Sequence, residues 1–209
     1  YNNNAIGSFA LYSNTTGLQN NALGGEALRY NTTGDYNVAL GSTTLYNNIA
    51  GNCNIAIGRC SLFSTTSGCH NTGIGSNTLK CNTTGLCNVA IGPNALYSNT
   101  TGGDNIAMGY ASLESNTTSW YNVALGPQSL KCNTTGSYNF AVGVCALRSN
   151  IAGDYNTALM YQSLYANTSG SCNTAIGRQA LYSNTTGCHN NAIGYQALYA
   201  NTTGINNTA

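Results

Sequence analysis

The sequence predicts an all-β repeat protein, a β-solenoid of twelve 17-residue rungs. Three observations carry that prediction: an unbroken period, too little apolar surface in any one repeat, and a turn motif that closes each repeat. Asparagine marks the period. From Asn3 it recurs at Asn20, Asn37, Asn54, Asn71, Asn88, Asn105, Asn122, Asn139, Asn156, Asn173, Asn190 and Asn207, with no insertion. Eight residues after each of the first twelve comes a leucine: Leu11, Leu28, Leu45, Leu62, Leu79, Leu96, Leu113, Leu130, Leu147, Leu164, Leu181 and Leu198. This leucine series is the expected core ladder.

The rung reads Asn-x-Ala-(Ile/Leu)-Gly-x-x-(small)-Leu-x-x-Asn-Thr-Thr-Gly-x-x. The Gly after the aliphatic is replaced once, by Met160, and the second Asn once, by Thr65. The opening Asn-x-Ala-(Ile/Leu) segment reads as a short strand, with β-branched residues on one face and a small Ala on the other. Gly ends it. Asn-Thr-Thr-Gly reads as a turn. Between them the chain forms a second short strand or a single helical turn; Pro93 and Pro127 suit the first position of the latter. One rung offers two aliphatics and a few small residues, so burial requires stacking. At ~4.8 Å per rung, twelve rungs would span roughly 58 Å. The opening asparagines either chain their amides along the axis or cap local backbone, and either role is structural.

Residues 1–209 are expected to form one continuous array cut from a longer one, because neither end shows the atypical capping repeat of a complete solenoid. A longer period overlies the short one. Arg29 recurs as Arg148, Cys53 as Cys172, and Cys69-His70 as Cys188-His189, each 119 residues or seven rungs later. A seven-rung duplication is sufficient to produce it.

Composition excludes several function classes. Charged residues are 5% of the chain and net charge is +1 with no basic cluster, so no nucleic-acid partner is expected. No apolar run approaches the ~20 residues of a membrane span. No catalytic triad, carboxylate pair, phosphate loop or convergent metal-ligand set stands out, so neither an enzyme nor a cofactor is expected. Cys69-His70 and Cys188-His189 lack the further ligands or orienting base that zinc or nucleophilic chemistry needs.

Nine cysteines in a thinly cored chain point to an oxidising, extracellular or cell-surface setting. Stacking suggests disulfides between adjacent rungs: Cys53–Cys69 and Cys172–Cys188, with Cys60–Cys81 and Cys132–Cys145 beside them and Cys87 left over. The turn carries N-glycosylation sequons at Asn14, Asn31, Asn82, Asn99, Asn116, Asn133, Asn167, Asn184 and Asn201. Either covalent glycans sit there, or Asn-Thr-Thr-Gly is simply good turn chemistry.

Residues 173–187, Asn-Thr-Ala-Ile-Gly-Arg-Gln-Ala-Leu-Tyr-Ser-Asn-Thr-Thr-Gly, resemble the tandem repeats of tail-fibre-like surface proteins. The Asn-x-Ala-Ile-Gly core also resembles the head repeats of trimeric autotransporter adhesins, which form β-roll solenoids. The resemblance implies an elongated extracellular fibre, often trimeric, that attaches to surfaces. The expected function is a self-associating structural subunit of such a filament, glycosylated and disulfide-stapled. An adhesin and an ice-binding solenoid are the alternatives. Ile49, Ala50, Ile151 and Ala152 interrupt the Thr face that ice binding would need.

Overall fold

The computed structural model describes residues 2–209 and is an all-β solenoid with no helix among them. Each rung contributes one three-residue strand. They are β1 (Asn4–Ile6), β2 (Asn21–Leu23), β3 (Val38–Leu40), β4 (Ile55–Ile57), β5 (Thr72–Ile74) and β6 (Val89–Ile91), then β7 (Ile106–Met108), β8 (Val123–Leu125), β9 (Phe140–Val142), β10 (Thr157–Leu159), β11 (Thr174–Ile176) and β12 (Asn191–Ile193). The residues group into two compact units, Tyr1–Asp104 and Asn105–Ala209. In the first, β1 to β6 pair in sequence order, parallel and in register, as with Val38↔Ile55 and Ala39↔Ala56. The second repeats this arrangement with β7 to β12, as with Val123↔Phe140 and Ala124↔Ala141. Partners are always 17 residues apart, so the sequence period is the pairing register.

Alternation along each strand decides what is buried. The central Ala points inward and is fully buried in most rungs, whereas its two neighbours point out. The core is therefore built from that Ala, the small residue before each Leu, and the Leu. Ten leucines of the series, Leu28 through Leu181, are completely buried, while Leu11 and Leu198 are partly covered. The inward side has room for little more than a methyl group. At Gly73, a Cβ would come within 2.5 Å of Ser61 Oγ and 2.9 Å of Thr78 Oγ1, the hydroxyls its neighbours bring into the core.

The segment between strand and turn is neither a second strand nor a helical turn; it is a run of turns with an unexpected backbone. The Leu and the residue two before it both lie in the left-handed region, as at Glu26 (φ 61) and Leu28 (φ 53). The residue before each opening Asn does too, as at Tyr36 (φ 57). Such angles cost L residues about 1–2 kcal/mol apiece, so something must offset them. Alternating handedness turns successive peptide planes towards opposite neighbours. Leu28 and Tyr30 donate forward to the carbonyls of Thr44 and Tyr46 at 3.0 and 3.1 Å. Gly24 and Glu26 donate back to Ile6 and Ser8, both at 2.8 Å. Backbone hydrogen bonding between rungs thus continues well outside the three-residue strands, and it compensates the local strain.

The strand-ending Gly has its own requirement. Its φ runs from 114 to 140, and at Gly24 a Cβ would sit 2.5 Å from the carbonyl oxygen of Gly41 in the next rung. Met160 takes this position with φ 91 and an exposed side chain. The rung yields slightly. The bond from Gly177 N to Leu159 O stretches to 3.1 Å, against 2.8 Å for the equivalent Gly143-to-Leu125 and Gly194-to-Ile176 bonds.

Candidate functional site

Two parallel columns of asparagine run through the interior of each unit. The opening Asn uses its amide twice. Asn37 Nδ2 donates to Gly51 O across its own rung at 2.8 Å and to Asn20 Oδ1 in the preceding rung at 3.1 Å. Asn20 Oδ1 also takes the backbone N–H of Asn37 at 3.0 Å. The ladder and the backbone cap, alternatives at the level of sequence, are thus both present in one residue.

The turn Asn forms the second column. Asn48 Nδ2 donates to Asn31 Oδ1 at 2.7 Å and to Gly51 O at 3.0 Å. Both columns therefore meet at the turn Gly carbonyl, here that of Gly51. The Gly is needed for space: at Gly34 a Cβ would lie 2.5 Å from both Asn31 Oδ1 and Gly51 O. Ser119 is the one turn residue that breaks this rule, and its buried hydroxyl joins the network, accepting from Asn122 and Asn133 at 3.0 and 3.2 Å and donating to Asn116.

This second column bears directly on the expected glycan sites. Of the sequon asparagines, Asn31, Asn82, Asn99, Asn116, Asn133, Asn167 and Asn184 have no exposed surface. The Nδ2 atom that would carry the sugar lies inside the column, where an oligosaccharide has no room. Asn14 and Asn201 are partly exposed, and their amides bond Gly17 O and Gly204 O in the same way. Burial of the turn Asn was not legible because Asn-Thr-Thr-Gly has the composition of an exposed turn.

All nine cysteines are thiols in the structure, so none of the four expected disulfides is formed in it. Cys69 and Cys188 instead act as hydrogen-bond acceptors. Cys69 Sγ takes the N–H of Asn52, and Cys188 Sγ that of Ser171, each at 3.3 Å. Other rungs fill this position with better acceptors: Asp35 Oδ1 takes Leu18 N–H at 2.7 Å and Ser171 Oγ takes Asp154 N–H at 3.0 Å. The Cys60 sulfur faces Thr43 Oγ1 at 3.3 Å, in the rung preceding its own, whereas Cys81 lies in the rung that follows. Cys145 Sγ lies beside Gln128 Oε1 at 3.6 Å, along its own column rather than towards Cys132. Cys87 is coupled by its backbone to Cys69, donating to that carbonyl at 3.0 Å. Its thiol is held above its usual range, first by desolvation and then by the charges of Asp104 and Cys69.

The surface is columnar as well. Tyr165, Tyr182 and Tyr199 stack with ring centroids 5.1 Å apart and planes within 5°. Tyr121, Tyr138 and Tyr155 form another row at 5.0 and 4.9 Å. Burial within the first row, then the neighbouring Tyr165 and Tyr199, raise the Tyr182 hydroxyl above its ordinary value. The Thr after the turn Asn turns its hydroxyl to the next rung, as Thr32 Oγ1 does to Ile49 O at 3.0 Å. In the first unit an open groove of about 540 Å³ runs between two columns and is lined by Ser13, Tyr30, Thr32, Asn47, Ile49, Ser64 and Thr66. It contains no acid–base pair. Among the described residues no group of three or more His, Cys, Asp or Glu is placed to hold a metal ion, and no helix is long and apolar enough to cross a membrane.

These features define a class: a tandem-repeat β-solenoid with asparagine columns inside and aliphatic, threonine and tyrosine columns outside. No family model, curated protein or solved structure matches the chain.

Proposed function

We propose that the chain is a structural subunit of an extracellular or cell-surface fibre, with no catalytic role. One observation carries this reading. The residues fixed by the repeat are spent on hydrogen bonds that run along the solenoid axis, through two asparagine columns and the backbone. Columns of that kind resist extension along the axis, which is the demand placed on a load-bearing rod. They also leave bonding groups at each exposed rung that a further rung satisfies. Two elements of the sequence expectation drop out of the proposal. Seven of the nine sequon amides are buried, and the rungs stack through hydrogen bonds that need neither glycan nor disulfide.

An adhesin at the tip of such a fibre is the second reading, and the groove beside Tyr30 and Ile49 favours it as a recess large enough for a small ligand. Ice binding is less well supported. The first Thr of the turn donates to a backbone carbonyl, as at Thr32, Thr83 and Thr185. That leaves the exposed second Thr, as at Thr33, Thr84 and Thr186, as the outward hydroxyl column, and Ile49-Ala50 and Ile151-Ala152 interrupt it. Electron microscopy of native material tests the proposal: continuous filaments with an axial repeat near 4.8 Å support it. Discrete monodisperse particles would refute it.

A further inference from the structure

We infer that the outward strand face is a lateral interface, on which a second copy of the same chain packs sheet to sheet. The inference builds on the fibre reading by giving the fibre a sideways contact. Alternation along the strand places Ala inside, so the aliphatics flanking it are left in solvent without a partner. In the second unit this face is led by Ile106, Val123 and Phe140 in one column and Met108, Leu125 and Val142 in the other. Phe140 is 41% exposed and Ile193, at the far end of the same face, 59%. An exposed Leu alone is ordinary, whereas here one column is apolar over all six strands and the adjoining one over the first three, before Thr157, Thr174 and Asn191 complete it. Together they form a contiguous patch.

Three properties select a second copy as the occupant. The first is area. With the bordering row that includes Tyr110, Tyr161 and Tyr195, the patch offers on the order of 1,000 Å² per copy, against roughly 800 Å² per partner in a stable interface. The second is charge. Neither column holds an Asp, Glu, Lys, Arg or His in any of the six strands. The one charge of the bordering row, Arg178, lies over the rings of Tyr161 and Tyr195, so the two strand columns of identical faces meet without repulsion. The third is period. The face repeats once per rung, and only another copy repeats with the same spacing, so each rung side chain meets an equivalent one along the whole contact. Two such sheets would pack about 10 Å apart with their strands nearly aligned. The first unit carries an equivalent face, with Val38, Ile55 and Val89 beside Leu40, Ile57 and Ile91.

The test uses the 209-residue chain with Val123→Lys and Phe140→Lys, and a control with Thr134→Lys in the Thr column. Both positions on the strand face are outward, so far-UV circular dichroism should match the unsubstituted chain. Sedimentation velocity and negative-stain microscopy then read width and length separately. Paired rods that become single in the strand-face variant, at unchanged length and with the control still paired, support the interface. Pairing that survives the two lysines, or that the control abolishes equally, overturns it. Single rods in the unsubstituted chain also overturn it, including the case in which those rods shape ice crystals through this face. Loss of elongation with pairing intact would instead refute the fibre reading and leave the interface standing.

Discussion

Asn20 and Asn31 send their side-chain amides to a single acceptor, the carbonyl of Gly34, at 2.8 and 3.0 Å. The same convergence recurs at Gly51, Gly102 and Gly187, so in these rungs one backbone oxygen ties the two columns together. Both residues are fully buried, and a buried amide that loses its partner is worth more in destabilisation than the bond itself contributes. Asn37→Ala would leave Asn20 Oδ1 one donor short and remove the cap on the Asn54 N–H. We expect a loss of about 2–4 kcal/mol from those unsatisfied groups, read as a lower urea midpoint. An unchanged midpoint would show that the column is decorative.

Thr65 is the one place where the chain breaks its own turn column. Its Oγ1 and the Asn48 Oδ1 behind it are both buried without a hydrogen-bond partner. Asn82, on the other side, keeps its bond to Gly85 O at 3.1 Å. Thr65→Asn should close the gap and stabilise the first unit by about 1 kcal/mol or more, seen as a higher melting temperature. A lower melting temperature would mean that the space around Thr65 has closed to a methyl group.

Met160→Gly should also stabilise, by roughly 1–2 kcal/mol, because a side chain is removed from a left-handed position. Hydrogen exchange at Gly177 N–H should slow as its bond to Leu159 O shortens from 3.1 Å. If exchange at Gly177 stays unchanged, the stretch there has another cause than Met160.

Much of this architecture is legible in the sequence because one residue per rung suffices to fix register. The Asn3 series set the pairing, and the Leu11 series named the core. Three features escaped. The strand aliphatics face outward because the Leu column leaves only Ala-sized room inside, which is a matter of cross-section that periodicity does not encode. The left-handed Leu residues escaped because handedness at such a position is normally signalled by Gly or Asn, and here it is imposed by hydrogen bonds to neighbouring rungs. The turn Asn was misplaced because its sequon reads the same whether the amide points out or in.

That last point makes a prediction about native material. Peptides spanning Asn31, Asn82, Asn99, Asn116, Asn133, Asn167 and Asn184 should carry no glycan, since these amides have no exposed surface. Mass spectrometry after proteolysis reads each site. Sugar on any one of them would require a rung that opens its asparagine column.

The thiols supply the last prediction, and its sign follows from Cys87. Desolvation, with Asp104 and Cys69 adding to it, favours the protonated thiol in the folded chain. A group held above its unfolded value contributes stability that is complete below the ordinary thiol pKa of about 8.5 and is lost as pH rises through the folded value. Alkylation of Cys87 should therefore lag behind that of an unfolded peptide of the same sequence at pH near 8 and catch up only at higher pH. Cys69→Ser should leave the fold intact, because at the equivalent position Ser171 accepts the N–H of Asp154 from the preceding rung at 3.0 Å. It should lower the Cys87 profile only slightly, because Cys69 is the last of the three causes and desolvation and Asp104 remain in place. A Cys87 profile at the ordinary thiol value in the unsubstituted chain would refute the environment assigned to it.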